Sequence, residues 1–275
     1  MMRRILVFLL LLCGSCAMAA QSVLVWGGDL ASGQKEQVRE ELLSLGADLT
    51  DAKELTVTNQ EERQALKGKV APQAIGTRAI SSVYIKVGAG RGIAVRTSKI
   101  TLLTEQMYRS ALVTGGVKQA EVIALAPVPV SGTAALTGIF KAYEFITGEE
   151  LPAEAKDAAT EELVQSGELG QRIGQKKAAQ LIDHIKTRVL KEKPADIAQV
   201  EDIIKDAAQN MNVSLSQAQL AKLGKLFFRI SKLPLDLSQV QQLLSGGIWQ
   251  KVSMWFVQLG SLLGGLLKQL LALFV

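Results

Sequence analysis

The sequence predicts an α/β domain, a mixed sheet with helices, over residues 20–150, followed by an all-helical module over 151–246 and a C-terminal apolar amphipathic helix over 247–275. Three observations carry this. Short apolar runs alternate with helical spacing from residue 22 to 150, strand signals stop after Pro152, and the composition turns strongly apolar at Ile248. Alternation of strand and helix is the pattern of a sheet covered by helices.

Ahead of the sheet, residues 1–19 read as a secretory signal peptide. Arg3 and Arg4 precede an unbroken apolar run from Ile5 to Leu12, and Ala17, Met18 and Ala19 supply a small-residue cleavage pattern. The run is shorter than the ~20 residues a membrane span needs, so cleavage after Ala19 is expected. Lipidation at Cys16 is the alternative, although Cys13, Gly14 and Ser15 fit a lipoprotein processing site only loosely. Cys13 and Cys16 both lie in this leader, so a chain cleaved after Ala19 has neither disulfides nor thiolate chemistry.

Within the α/β region, Val23 to Trp26 and Val122 to Ala126 are continuous apolar runs, as in strands buried on both faces. Leu55 to Thr58 reads as a half-buried strand. Val83, Ile85 and Val87 alternate with Tyr84 and Lys86, and the pattern resumes at Ile93, Val95 and Thr97 after Gly88 to Gly92. That predicts a β-hairpin with a glycine tip. Residues 34–45, 60–68, 104–115 and 133–147 carry helical spacing between the strands.

Past Pro152, Ile173, Ala178, Leu181, Ile182, Ile185 and Val189 form one helical stripe, and Ile197, Val200, Ile204, Ala207 and Met211 form another. Asp196 with Gln199, and Ser216 with Gln219, have capping-box spacing and mark two helix starts. The second of these helices sets Lys222, Lys225, Arg229 and Lys232 opposite Leu220, Leu223, Phe227 and Ile230. Glu149, Glu150, Glu154, Glu161 and Glu162 read as a solvated acidic face.

The last segment combines a wide apolar face with a narrow polar stripe at Lys251, Gln258, Ser261 and Lys268. Trp249, Trp255, Phe256, Leu263, Leu267 and Leu270 are the expected membrane contacts, and Gly260 with Gly264 has the spacing of a self-association face. The formal charge of the whole chain is +5, and residues 212–275 by themselves also sum to +5. The basic character therefore belongs to the C-terminal part. For an exported chain, an anionic membrane surface or cell-wall polymer is the expected partner, and nucleic acid is not.

Several unusual strings carry a family resemblance. Gly27-Gly28-Asp29-Leu30, Thr56 to Asn59, Ile75 to Ser82, Ser131 to Gly138, Lys141 to Glu144 and Glu168-Leu169-Gly170 occur in one order across about residues 22–215. In these the chain resembles the YpuA-like family of predicted secreted Gram-positive proteins, a domain of unknown function. The resemblance implies export and a shared fold and supplies no catalytic residue. The family pattern has alanine where this chain has Gly28, which implies that no particular side chain is essential there.

No catalytic, cofactor or metal constellation is expected. His184 is the sole histidine, flanked by Asp183 and Ile185 in a helical pattern, and reads as a solvated helix residue because no nucleophile motif accompanies it. Gly88 to Gly92 joins strand to strand, whereas a phosphate loop opens a helix. Ser131, Gly132 and Thr133 follow an apolar strand and open a helix, where free N–H groups hold an anion, with Arg78 as a possible guanidinium partner. The plainer reading is that Ser131 or Thr133 caps the helix while Gly132 lets the chain turn. Asp29 follows a buried strand and two glycines, a common place for ligand contacts in α/β proteins, or else simply begins a turn.

These readings point to an extracytoplasmic binding or structural protein, without catalysis, on the outer face of the membrane. The alternative is an exported hydrolase or anion-binding protein using the loops at Asp29, Arg78 and Ser131. A third possibility is a self-associating, membrane-active protein driven by the tail.

Overall fold

The computed structural model describes residues 21–70, 76–88 and 92–243. Five strands, β1 (Gln21–Gly27), β2 (Lys53–Val57), β3 (Ser82–Val87), β4 (Ile93–Ile100) and β5 (Ala120–Val130), form one sheet in the order β2-β1-β3-β5-β4. β1 pairs with β2 in parallel and β4 with β5 in parallel, while β3 runs antiparallel to both β1 and β5. Four strands therefore share one direction and the central strand opposes them. The predicted mixed sheet with helices is present, and the helical region follows it.

Helices enter between strands where the spacing predicts them: α1 (Ser32–Ser44), α2 (Asn59–Leu66), α3 (Glu105–Thr114) and α4 (Ala135–Thr147). A parallel pair requires a crossover, and α1 and α3 supply the two here, on opposite faces of the sheet. On one face Leu24, Trp26, Tyr84, Ile123 and Leu125 meet Val38 and Leu42 of α1. On the other Val23, Val25, Val83, Ile85, Val122 and Ala124 meet α3 and α4. β1 and β5 are thus apolar on both sides because helices cover both sides.

The expected hairpin is not formed. β5 inserts between β3 and β4, so those two strands never pair. Alternation specifies which face a residue occupies and says nothing about which strand lies alongside. β5 buries both faces and requires two neighbours, and six residue steps from Val87 to Ile93 reach ~20 Å. That is ample to cross the roughly 10 Å of two strand spacings. At its far end β4 carries an irregularity between Ser98 and Ile100, with Lys99 at φ 55°. The kink delivers the Lys99 ammonium to Glu41 of α1 at 2.7 Å.

The helical region comprises α5 (Ala153–Ile173), α6 (Gln175–Glu192), α7 (Ile197–Asn210) and α8 (Gln217–Lys232). The predicted stripe beginning at Ile173 is interrupted: Gly174, at φ 89°, ends α5 and opens α6, so Ile173 belongs to the earlier helix. The cap readings hold in their main part. Asp196 accepts from the Gln199 N–H at 2.9 Å, and Ser216 forms a complete reciprocal box with Gln219. Leu220, Leu223, Phe227 and Ile230 are all buried, as the α8 stripe predicts. Ile197 is 38% exposed, because it opens its helix at the rim of the packing.

One apolar cluster joins the sheet to these helices, running from Val23 through Leu112 and Leu163 to Ile230. α3 is its hub: it lies between β4 and α5 and buries seven consecutive or near-consecutive residues, Met107, Tyr108 and Ser110 to Thr114. Burying a side chain such as Leu112 contributes about 2 kcal/mol. Arg229 of the basic stripe is drawn into this packing, pairing with Asp157 at 2.9 Å and with Glu161 of α5. The acidic face read as solvated is therefore corrected for Glu161, which is paired, and for Glu162, which is fully buried. Among the described residues no helix is long and apolar enough to cross a membrane. Trp249, Trp255, Phe256, Gly260, Leu263, Gly264, Leu267 and Leu270, like the leader, lie outside the described residues.

Candidate functional site

Because β1 and β2 run one way and β3 the other, the loops after β1 and β2 and the segment entering β3 meet at one end of the sheet, the edge formed by the strand tips. Asp29 and Arg78, 49 positions apart in the chain, come together there. The Arg78 guanidinium donates to the Asp29 carbonyl at 2.8 Å, and the Ala79 N–H donates to the Asp29 carboxylate at 2.7 Å. The Asp29 N–H in turn donates to the Ala79 carbonyl at 3.0 Å. A clasp of this kind needs close backbone approach. A Cβ on Gly27 would stand 2.5 Å from the Ala79 carbonyl oxygen, so only glycine fits.

The same edge holds the start of α2. Thr58 caps it in a reciprocal box with Glu61, whose other carboxylate oxygen accepts from Lys141 of α4 at 2.6 Å. Burial would raise the Glu61 carboxyl, and Lys141 and Thr58 outweigh it and hold the group below its usual range. Its neighbour Glu62 behaves oppositely. Only 4% exposed, with a 3.5 Å contact from the Asn59 amide, it is pushed up to about 7 by burial, aided by the charges of Asp29 and Glu61.

A raised carboxyl has a definite linkage sign. The folded state keeps the Glu62 proton to about pH 7, whereas the unfolded chain releases it near 4.5. Stability therefore falls as pH rises through this window, by about 2 kcal/mol after allowance for solvent screening. Glu62→Gln should remove that slope, making the variant more stable than the parent at pH 8 but not at pH 4. Urea titrations at the two pH values check this, and parallel profiles would refute the assignment.

Ser131, Gly132 and Thr133 follow β5, which ends in the same direction as β1 and β2, but no hydrogen bond or ion pair joins them to Asp29 or Arg78. Gly132, at φ 91°, makes the expected turn; its carbonyl accepts from the buried Tyr108 hydroxyl and from the Ala135 N–H. The capping reading of Ser131 or Thr133 is corrected: α4 starts at Ala135 after Ala134, without a side-chain cap. The two hydroxyls instead face each other at 3.4 Å on the surface. Their chain is pulled past the helix start by the Tyr108 anchor.

The most polar part of the interior was not foreseen. Lys186 of α6, with no exposure at all, places its three ammonium hydrogens on Glu162 Oε1, Ser110 Oγ and the Ser110 carbonyl, each at 2.7 Å. The Thr114 hydroxyl donates to Glu162 Oε2 at 2.6 Å. Beside them Asp183, also fully buried, accepts from Gln106 at 2.8 Å and leaves Oδ1 without a partner among the described residues. Burial holds the Asp183 carboxyl above its usual range, against the pull of Lys186. A signal existed in the sequence: Ile182, Lys186 and Val189 have i, i+4, i+7 spacing, which sets the lysine on the apolar stripe.

His184 is half-buried rather than solvated, because α6 turns it toward a cavity of about 510 Å³ between α3, α6 and the end of α7. The cavity wall also carries Gln106, Arg109 and Lys176.

Comparison with known proteins agrees with the resemblance seen in the sequence. A family model described as "Protein of unknown function (DUF1002)" matches residues 26–246, reaching past residue 215 to include α8. The chain is 40% identical over 221 residues to the "Uncharacterized protein YpuA" of Bacillus subtilis (strain 168), covering 79% of this chain and 74% of that protein. No solved structure matches. With a model covering most of its length and a relative this similar, the chain belongs to the DUF1002, YpuA-like family.

Proposed function

We propose that the protein is an exported, non-enzymatic binding or structural component of the cell envelope, held to the outer face of the membrane by an amphipathic helix in residues 247–275. The observation that carries the non-enzymatic part is the clasp between Asp29 and Arg78. Both side chains at the most suggestive sheet edge hold backbone groups of each other's loops, which favours a scaffold over a hydrolase. Export rests on the leader pattern of residues 1–19, and membrane attachment on the tryptophans, leucines and snorkelling lysines of the tail. Lys222 and Lys225 on the exposed side of α8 add positive charge, at about 1 kcal/mol for each that meets anionic lipid.

Expression with the natural leader in Bacillus subtilis tests the location. The intact mass should correspond to a chain beginning at Ala20, and protease added to protoplasts should digest it. Retention of the leader together with protection from protease would overturn the proposal, and a diacylglyceryl mass on Cys16 would replace the tail as the anchor.

A further inference from the structure

The cavity beside α3 and α6 has a one-sided charge. Arg109 enters from α3, and Lys176, Gln180 and His184, four residues apart on α6, line the adjoining wall. No carboxylate is among the cavity's lining residues. Among the described residues, Arg109, Lys176 and His184 make neither an ion pair nor a side-chain hydrogen bond, and the buried Nε of Arg109 is left without a partner. Burial draws the Arg109 guanidinium below its ordinary value, opposed by the charges of Asp183 and Glu105, which act on it without touching it. Arg109 itself is only partly buried, but its Nε is shut off from solvent without a partner, and an anion that accepts from the guanidinium offsets the cost of that unmet donor.

The remaining wall is formed by Met211 and the buried Leu243, which are apolar, together with the polar Asn210. The volume of about 510 Å³ lies in the range of small-molecule sites. A carboxylate would be satisfied by a single guanidinium fork. Basic side chains converging from two helices suit a group with two negative charges and three terminal oxygens.

We propose that this cavity is a binding site for a phosphate monoester carrying a compact, partly apolar body, with Arg109 and Lys176 gripping the phosphate, His184 beside it, and Met211 and Leu243 against the body. Gln106 links the site to the interior, since the residue that lines the cavity also holds the buried Asp183. A soluble phosphate ester and a lipid headgroup share this chemistry, and the probes below separate them.

Calorimetric titration of the mature full chain with inorganic phosphate, glycerol 1-phosphate and dihexanoyl phosphatidic acid below its micellar concentration tests the site. Submillimolar binding of at least one ester is expected, tighter than inorganic phosphate by tenfold or more. Preference for the lipid probe assigns a headgroup, and preference for glycerol 1-phosphate assigns a soluble ester. Arg109→Gln and Lys176→Gln should each weaken binding at least tenfold, whereas Lys53→Gln, an exposed cation on β2, should not. Lys176 is exposed, so its variant keeps the test valid if Arg109→Gln folds poorly. Failure of all three probes to bind at 1 mM, or equal weakening by Lys53→Gln, overturns the proposal.

Discussion

Glu162→Ala should lower the free energy of unfolding by about 3–5 kcal/mol, the largest effect expected of any single substitution considered. The carboxylate accepts from Lys186 and Thr114 inside a region where neither ionic side chain has any exposure. Removing it leaves an ammonium buried with only the Ser110 oxygens as acceptors and leaves the Thr114 hydroxyl with only a long 3.4 Å contact to the Ser110 carbonyl. Lys186→Met should cost a similar amount by stranding the carboxylate. The double replacement Glu162→Leu with Lys186→Met removes both charges together and should recover most of the loss, because a buried pair offsets little more than its own desolvation. Denaturant titration of the three variants separates this from simple loss of packing. Additive losses in the double variant would contradict it.

Gly132→Ala should be the next most damaging change, at about 3 kcal/mol. The backbone there has φ 91°, where an added Cβ costs roughly 1–2 kcal/mol. That Cβ would also stand 2.5 Å from Ile100 Cγ2 and 2.6 Å from the Tyr108 hydroxyl, so the partly buried Ile100 and the fully buried Tyr108 must shift and the Tyr108 bond to the Gly132 carbonyl is strained. Gly33→Ala is the control. It lies in the first turn of α1 with nothing within 4 Å of the added atom, and should be neutral or slightly stabilising. Melting curves of the two variants provide the comparison, and equal melting temperatures would show that the turn is not constrained as described.

Much of the fold was legible because its signals are local. The unbroken apolar runs of β1 and β5 announce burial on both faces, and the oxygen-bearing caps at Asp196 and Ser216 fix helix starts within a few residues. Strand order was not legible, since the pairing of β5 with both β3 and β4 depends on contacts across tens of residues. The loops at Asp29 and Arg78 were grouped with Ser131 in the alternative reading, but that Asp29 and Arg78 each hold backbone of the other's loop, 49 positions apart, was not legible. Glu162 and Lys186 were hidden by composition, because a charged residue on an apolar stripe reads as solvated until its partner on another helix is known. Ser131 misled for a different reason. An oxygen near a helix start is ordinarily a cap, and here the Tyr108 anchor at Gly132 shifts the helix start to Ala135.

The proposal that the protein works at a membrane surface through residues 247–275 is open to a direct test by flotation with anionic liposomes. Mature chain 20–275 and a chain ending at residue 246 are mixed with phosphatidylglycerol-containing vesicles at low salt and spun through a density gradient. The full mature chain is expected to rise with the vesicles, while the shortened chain stays below and keeps its circular dichroism. A full mature chain that remains below the vesicles and runs as a monomer would contradict it.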